Sequence, residues 1–225
     1  MIEEKHIVKI LECGYVAHDV RYFIVEKPEN YKFTSGQATE ISINKSGLEK
    51  MKREFTFTTL PDNPFLEFTI KMYLDHDKGM TRHLKDLKEG DELILHGIFG
   101  TINYKGPGIF IAGGAGVTPF ISILRNLRKQ GKLDGNKLIL SNKTKGDIIL
   151  EQEFRNMLGD NLILTLTREK KEGYENRKID ENFLKEKIKD FKTNFYICGP
   201  PIMVLELRIL LEKLGAKISS ITFEK

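Results

Sequence analysis

The spacing of apolar residues changes period once along this chain, and that change limits the fold more than any single motif. From His6 to about Gly100 apolar residues tend to alternate in short runs, at 23–25, 38–43, 55–59, 66–72 and 93–95. Turn-forming clusters separate them, among them Lys27-Pro28-Glu29-Asn30, Ser35-Gly36, Pro61-Asp62-Asn63-Pro64 and Glu89-Gly90-Asp91. Short strands at this spacing predict an antiparallel β-barrel or sandwich, interrupted by one helix over 81–87. After Lys105-Gly106-Pro107-Gly108 the pattern becomes strand–helix alternation. Strands are expected at 108–112, 137–140, 162–167, 194–198 and 218–223, and helices at about 119–130, 147–158, 180–188 and 202–214. Such alternation predicts an α/β doubly wound parallel sheet covered on both faces. The expected division is 1–103 and 104–225.

With 40% hydrophobic and 30% charged residues, the chain has enough apolar material for two cores without disulfides. Cys13 and Cys198 stand far apart, in no iron–sulfur or zinc spacing. The five histidines fit no common metal spacing and read as surface positions, so no metal is expected. An acidic N-terminus argues against a signal peptide, and no apolar run approaches the roughly 20 residues of a membrane span. The expectation is a cytoplasmic monomer. A net charge of +4 suits an acidic partner but is too diffuse for nucleic acid.

Four segments carry chemistry. Gly113-Gly114-Ala115-Gly116-Val117-Thr118-Pro119 joins the first strand of the second half to its first helix. Glycine lets a backbone approach a phosphate, proline suits a first helical turn, and the helix N-terminus offers free N–H groups to an anion. The alternative is a tight turn with no ligand. Cys198-Gly199-Pro200-Pro201-Ile202-Met203 follows the fourth strand, at the carboxyl end where ligands of such sheets bind. Cys198 is either a packed small hydrophobe or the wall of a nicotinamide site. In the first half, Arg53-Glu54-Phe55-Thr56 opens a strand. Arg53 is either a solvated end residue or a fork for phosphate, with Phe55 and Thr56 against a flat heterocycle. Gly79-Met80-Thr81 is a second helix-start turn able to hold a diphosphate.

Together these motifs resemble the ferredoxin–NADP reductase superfamily of FAD- and NAD(P)-linked electron-transfer flavoproteins. Its Arg-x-Tyr/Phe-Ser/Thr flavin motif is similar to Arg53-Glu54-Phe55-Thr56, and its Pro-Gly-Gln to Ser35-Gly36-Gln37, with serine for proline. Its Gly-x-x-Ser/Thr turn has a counterpart in Gly79-Met80-Thr81, shifted by one. Its Gly-Pro-x-Gly resembles Gly97-Ile98-Phe99-Gly100, again without the proline. Gly113 to Pro119 matches Gly-Gly-x-Gly-x-Thr-Pro, and Cys198 to Met203 matches Cys-Gly-x-x-x-Met.

The resemblance implies a ferredoxin reductase-type FAD-binding barrel followed by an NAD(P)-binding domain. Arg53 would bind the FAD diphosphate, together with the Gly79-Met80-Thr81 turn. Phe55 would lie against the isoalloxazine or its ribityl chain, and Thr56 would hydrogen-bond near the flavin N5. Gly113, Gly114, Gly116 and Pro119 would hold the nicotinamide nucleotide's diphosphate, with Thr118 near its ribose. Cys198 and Gly199 would sit beside the nicotinamide. Phe223 could cover the flavin, and Glu224 resembles the family's near-terminal glutamate. Thr167-Arg168 is similar to the Ser-Arg that grips the 2′-phosphate of NADP, with Arg177, Lys170, Lys171 and Lys143 as further cations, so NADPH is favoured over NADH. The acceptor would be a separate flavodoxin, ferredoxin or small redox molecule, since the chain encodes no cluster ligands. Two alternatives remain: a reductase that treats flavin as a diffusing substrate, and a non-catalytic flavin- or nucleotide-binding subunit of a larger redox complex.

Overall fold

A computed structural model describes residues 5–73, 79–100 and 102–223. By contact the chain divides into two compact units, Met1–Gly100 with Thr118–Asn126, and Thr101–Val117 with Leu127–Lys225.

The first unit holds strands β1 (His6–Ala17), β2 (Val20–Glu26), β3 (Ala38–Ile43), β4 (Arg53–Thr56), β5 (Phe65–Lys71) and β6 (Glu92–Phe99), with a short helix α1 (Met80–His83) between the last two. The sheet order is β4-β3-β6-β1-β2-β5, with antiparallel neighbours. Its two edges meet where Phe57 bridges Phe68 and Thr58 N donates to Glu67 O at 2.8 Å, which closes the barrel. Strand β4 therefore ends at Thr56, short of the expected 59, because the chain there crosses from β3 to β5. The inward residues Ile10, Phe23, Val25, Ile41, Ile43, Phe57, Phe68 and Leu95 form one core, joined by Met80 and Leu84 from the α1 segment. His96 corrects the surface reading of the histidines: it is buried on β6, with Nε2 3.1 Å from Ser42 Oγ.

The second unit is a fully parallel sheet in the order β11-β10-β7-β8-β9. These strands are β7 (Gly108–Gly113), β8 (Lys137–Asn142), β9 (Leu162–Leu166), β10 (Asn194–Cys198) and β11 (Ile221–Phe223). The unit's helices are α3 (Glu151–Leu158), α4 (Glu181–Lys187) and α5 (Pro201–Lys213), while α2 (Thr118–Lys129), which follows β7 in the chain, falls to the first unit over 118–126. Residues of both parities on β7 are buried, as a sheet covered on both faces requires. Ile109 and Ile111 pack with Phe183 and Leu184 of α4 and with Val204, Leu207 and Leu211 of α5. Asp180 starts α4 by accepting Phe183 N at 2.8 Å on Oδ1, and Pro201 occupies the first turn of α5.

Other boundaries differ from expectation too: the helix expected over 81–87 is the short α1 followed by a 3₁₀ turn over Leu84–Asp86. Helix α3 begins at Glu151 rather than 147, because Thr144 and Asp147 form a capping box around a separate 3₁₀ turn and Leu150 then turns left-handed at φ 52°. The last strand begins at Ile221, after a 3₁₀ turn over Ile218–Ser220.

Candidate functional site

In the barrel, β4 lies at one edge of the six-stranded order, with Arg53 opposite Ile41 and Phe55 opposite Thr39. Arg53 is exposed, Phe55 is half-buried against the barrel core and Thr56 is buried. One Arg53 donor, Nη1, is used on Lys52 O at 2.7 Å. A guanidinium carries five N–H donors, and among the described residues this bond uses one of them, leaving the fork open to a ligand.

Two motifs far apart in sequence meet beside this strand. A Cβ on Gly100, whose φ is 150°, would lie 2.7 Å from Gln37 Cα and 3.1 Å from Gly36 O. Only glycine allows Ser35-Gly36-Gln37 and Gly97-Ile98-Phe99-Gly100 to pack backbone on backbone.

Gly79 is the N-cap of α1, in extended conformation, and among the described residues no side chain caps the first N–H groups of Met80 and Thr81. Fully buried Met80 and Leu84 fix the segment from below. Its far end is held by Arg21, whose Nη1 donates to Leu84 O at 2.6 Å, Lys85 O at 2.9 Å and Leu87 O at 2.9 Å. Buried Arg21 also stacks over Phe23 at 4.8 Å and donates Nη2 to Cys13 Sγ at 2.9 Å. Sequence reasoning missed Arg21; the available signal was a cation on the same face of a strand as the inward residues Phe23 and Val25.

In the second unit the connection order reverses between β7 and β10, the switch point at which open parallel sheets bind ligands. Both strands end there in glycine turns. A Cβ on Gly116 would lie 2.4 Å from Cys198 O and 2.6 Å from Gly199 Cα. One on Gly113 would strike Met203 Sδ at 2.5 Å and Pro200 Cδ at 2.9 Å, and one on Gly199 would approach Gly113 N at 3.0 Å. The structure thus brings Gly113, Gly116, Cys198 and Gly199 together. Gly114 differs: its φ is +54°, and nothing lies within 4 Å of its Cβ position. Thr118 and Pro119 open α2 directly after this turn.

The remaining candidates separate. Arg168 is exposed after β9, and among the described residues no side chain holds its guanidinium. Its N donates to Lys143 O at 2.9 Å, so the loops after β8 and β9 set the backbones of these two residues side by side. Arg177 is committed elsewhere, to Glu186 at 2.5 Å and Glu175 at 3.2 Å, and stacks over Phe183 at 5.0 Å. Phe223 pairs in register with Ile197 and lies under the Arg208 guanidinium at 4.2 Å. Glu224 lies outside the described residues.

A model of the oxidoreductase FAD-binding domain matches residues 8–104, and one of the oxidoreductase NAD-binding domain matches 110–208. The chain belongs to the ferredoxin reductase-like superfamily. Its relatives in the superfamily include NADH-cytochrome b5 reductase 2 of Mycosarcoma maydis, 28% identical over 88% of this chain and 66% of that protein. The reductase component of the Pseudomonas putida naphthalene 1,2-dioxygenase system is 24% identical over 93% of this chain and 67% of that protein. The chain thus spans about two thirds of the length of these two relatives. Among solved structures, a ferredoxin NADP+ reductase of Neisseria gonorrhoeae with bound FAD and NADP shares the fold at TM-score 0.86, with 20% identity and 98% of both chains covered.

The residues present fit both groups that the superfamily implies. An exposed arginine fork and an uncapped turn in the barrel suit a diphosphate, and the open αL position at Gly114 admits a ligand where any side chain would stand. Among the described residues no helix is long and apolar enough to cross a membrane.

Proposed function

We propose that the chain is an FAD-dependent NAD(P)H oxidoreductase that passes single electrons to a separate acceptor, a flavodoxin- or ferredoxin-type protein. The observation that carries this reading is the backbone-on-backbone junction of Gly113, Gly116 and Cys198-Gly199 at the switch point of the sheet. When bound, FAD supplies the conversion between a two-electron donor and one-electron acceptors.

The chain's own residues bind and orient. Arg53 and the N–H groups of Met80 and Thr81 after Gly79 neutralise the FAD diphosphate, with Arg21 keeping that segment in place. Phe55 offers an apolar face to the flavin ring, and Thr56 a hydroxyl. The backbone of Gly113, Gly114 and Gly116 admits the nucleotide diphosphate at the start of α2, while Thr118 and Pro119 shape its first turn. Cys198 and Gly199 wall the nicotinamide. Arg168, beside Lys143, reads the 2′-phosphate, which makes NADPH the preferred donor. Phe223, on β11 and steadied by Arg208, covers the flavin. The +4 net charge favours encounter with an acidic acceptor.

A second reading, the flavin subunit of a larger redox complex, is supported by one observation. Helix α5 buries Val204, Leu207 and Leu211 yet also exposes Ile202, Leu205 and Ile209 at 73%, 56% and 59%. A helix apolar on both sides is normally covered on both.

The visible spectrum of the purified protein tests the first reading, together with ferricyanide reduction by NADPH and NADH. About one FAD per chain, by flavin absorbance, and turnover with either nucleotide are expected. A protein that neither retains nor rebinds FAD would overturn it. Turnover that appears only with an added partner would favour the subunit reading.

A further inference from the structure

An arginine on an exposed loop discriminates a phosphate only if its backbone is held in place. The loop bearing Arg168 leaves β9 and returns to it: Leu166 N donates to Glu175 O at 2.8 Å, and Glu175 N to Leu164 O at 2.9 Å. Its leading end is tied by Thr167 N to Asn142 O at 2.9 Å and by Lys145 N to Glu169 Oε2 at 2.7 Å. Its tip is closed by Asn176, which accepts Lys171 N at 2.8 Å and donates to Tyr174 O at 2.9 Å.

A side-chain tie fastens this loop to α3. Tyr174 Oη donates to Glu151 Oε1 at 2.6 Å, on the first residue of α3. The same carboxylate oxygen accepts Arg155 Nε at 2.7 Å, and the Arg155 guanidinium lies 5.4 Å from the Tyr174 ring centre. Burial pushes the Glu151 carboxyl up, but the bonds from Tyr174 and Arg155 outweigh it and hold it below the usual range. Burial, then the bond to Glu151, pushes the Tyr174 phenol up. At neutral pH the acceptor is therefore ionised and the donor protonated.

We infer that Tyr174 is a positioning residue for nucleotide discrimination: by fastening the loop to α3 through Glu151, it holds Arg168 where a 2′-phosphate is read. The inference rests on the role proposed for Arg168. It is tested on the FAD-loaded enzyme by measuring kcat and KM with NADPH and with NADH, ferricyanide being the acceptor. Tyr174→Phe removes the donor and keeps the ring. It should raise KM for NADPH roughly two- to tenfold, the worth of one net hydrogen bond, with kcat retained and KM for NADH moved less than about twofold. Glu151→Ala, which removes the acceptor, should give the same shift, and the double variant no more than either single one, because all three break one tie. Equal rises in both KM values would make Tyr174 merely structural and overturn the inference. Arg168→Ala, run in parallel, separates the two failures. If it lowers NADPH preference while Tyr174→Phe does not, the positioning role falls and that of Arg168 stands. If Arg168→Ala leaves the preference untouched, both fall.

Discussion

Replacing Gly116 with alanine is the sharpest perturbation of the nucleotide turn. The added Cβ would sit 2.4 Å from Cys198 O, 2.5 Å from Cys198 C and 2.6 Å from Gly199 Cα. All three are backbone atoms at the end of β10, so no flexible side chain can swing away. Restoring ordinary contact requires one turn to move by about 1 Å within a close-packed sheet end. Overpacking of this kind costs about 1–3 kcal/mol, which for a chain of this size lowers Tm by roughly 2–4 °C per kcal/mol. The kinetic effect should be larger, since a displacement of about 1 Å at a binding site can cost about a hundredfold in kcat/KM. FAD content should hold, because Arg53 and the Gly79 turn belong to the other unit. The assays are a thermal melt, the flavin absorbance after gel filtration, and NADPH-dependent ferricyanide reduction. Gly114→Ala is the control: it meets no atom within 4 Å and incurs only the left-handed backbone cost, about 1–2 kcal/mol. Unaltered melting and kinetics in Gly116→Ala would refute the turn-on-turn account. Loss of FAD with nucleotide kinetics intact would refute the assignment of this turn.

Arg53→Ala should weaken FAD retention roughly 10- to 150-fold, the worth of a charge-assisted bond to phosphate, as read by flavin lost on gel filtration; full retention would remove Arg53 from the site. Asp180→Ala removes the acceptor of Phe183 N at the start of α4 and should cost about 1 kcal/mol in urea unfolding, with nucleotide kinetics retained. Glu181, bonded by Lys185 and Lys213, has its carboxyl lowered from 4.5 to about 2. A depressed carboxyl stabilises the fold above its unfolded value and loses that contribution as pH falls from about 4.5 towards 2. Carboxyl NMR should place its midpoint near that lower value, rising with added salt because the pair is exposed; a midpoint near 4.5 would refute the pairing.

Two strands, Ala38–Ile43 and Asn194–Cys198, fall where the sequence alone places them, because turn residues bound each and alternation or a β-rich run fills it. The longest strand, His6–Ala17, has no such signature. It pairs with β6 over His6–Lys9 and with β2 over Ile10–Ala17, and irregularities in register break its alternation. Arg21 was equally hidden, since a charge within a strand reads as solvated until the carbonyls of Leu84, Lys85 and Leu87 are seen to converge on it. Arg168 and Arg177 look alike in sequence. Only the fold shows that Glu186, a residue of α4, occupies one and leaves the other open.

The glycines carry the deepest version of this lesson. Their density suggested backbone approach to a ligand, yet Gly113, Gly116 and Gly199 are each required by the contact of one turn with the other, whatever else is bound. Packing and binding are not rival explanations here. Two strand ends can leave a shared crevice at a switch point only if their turns meet without side chains between them, and that same bareness leaves N–H groups uncovered at the start of a helix. Gly114 breaks the symmetry. With no neighbour within 4 Å, packing does not account for it, and its left-handed φ of +54° is the feature that turns the chain from β7 towards α2. It follows that substitutions at Gly113, Gly116 and Gly199 should couple strongly to one another in stability, as residues in contact do, while Gly114 should add independently to all three.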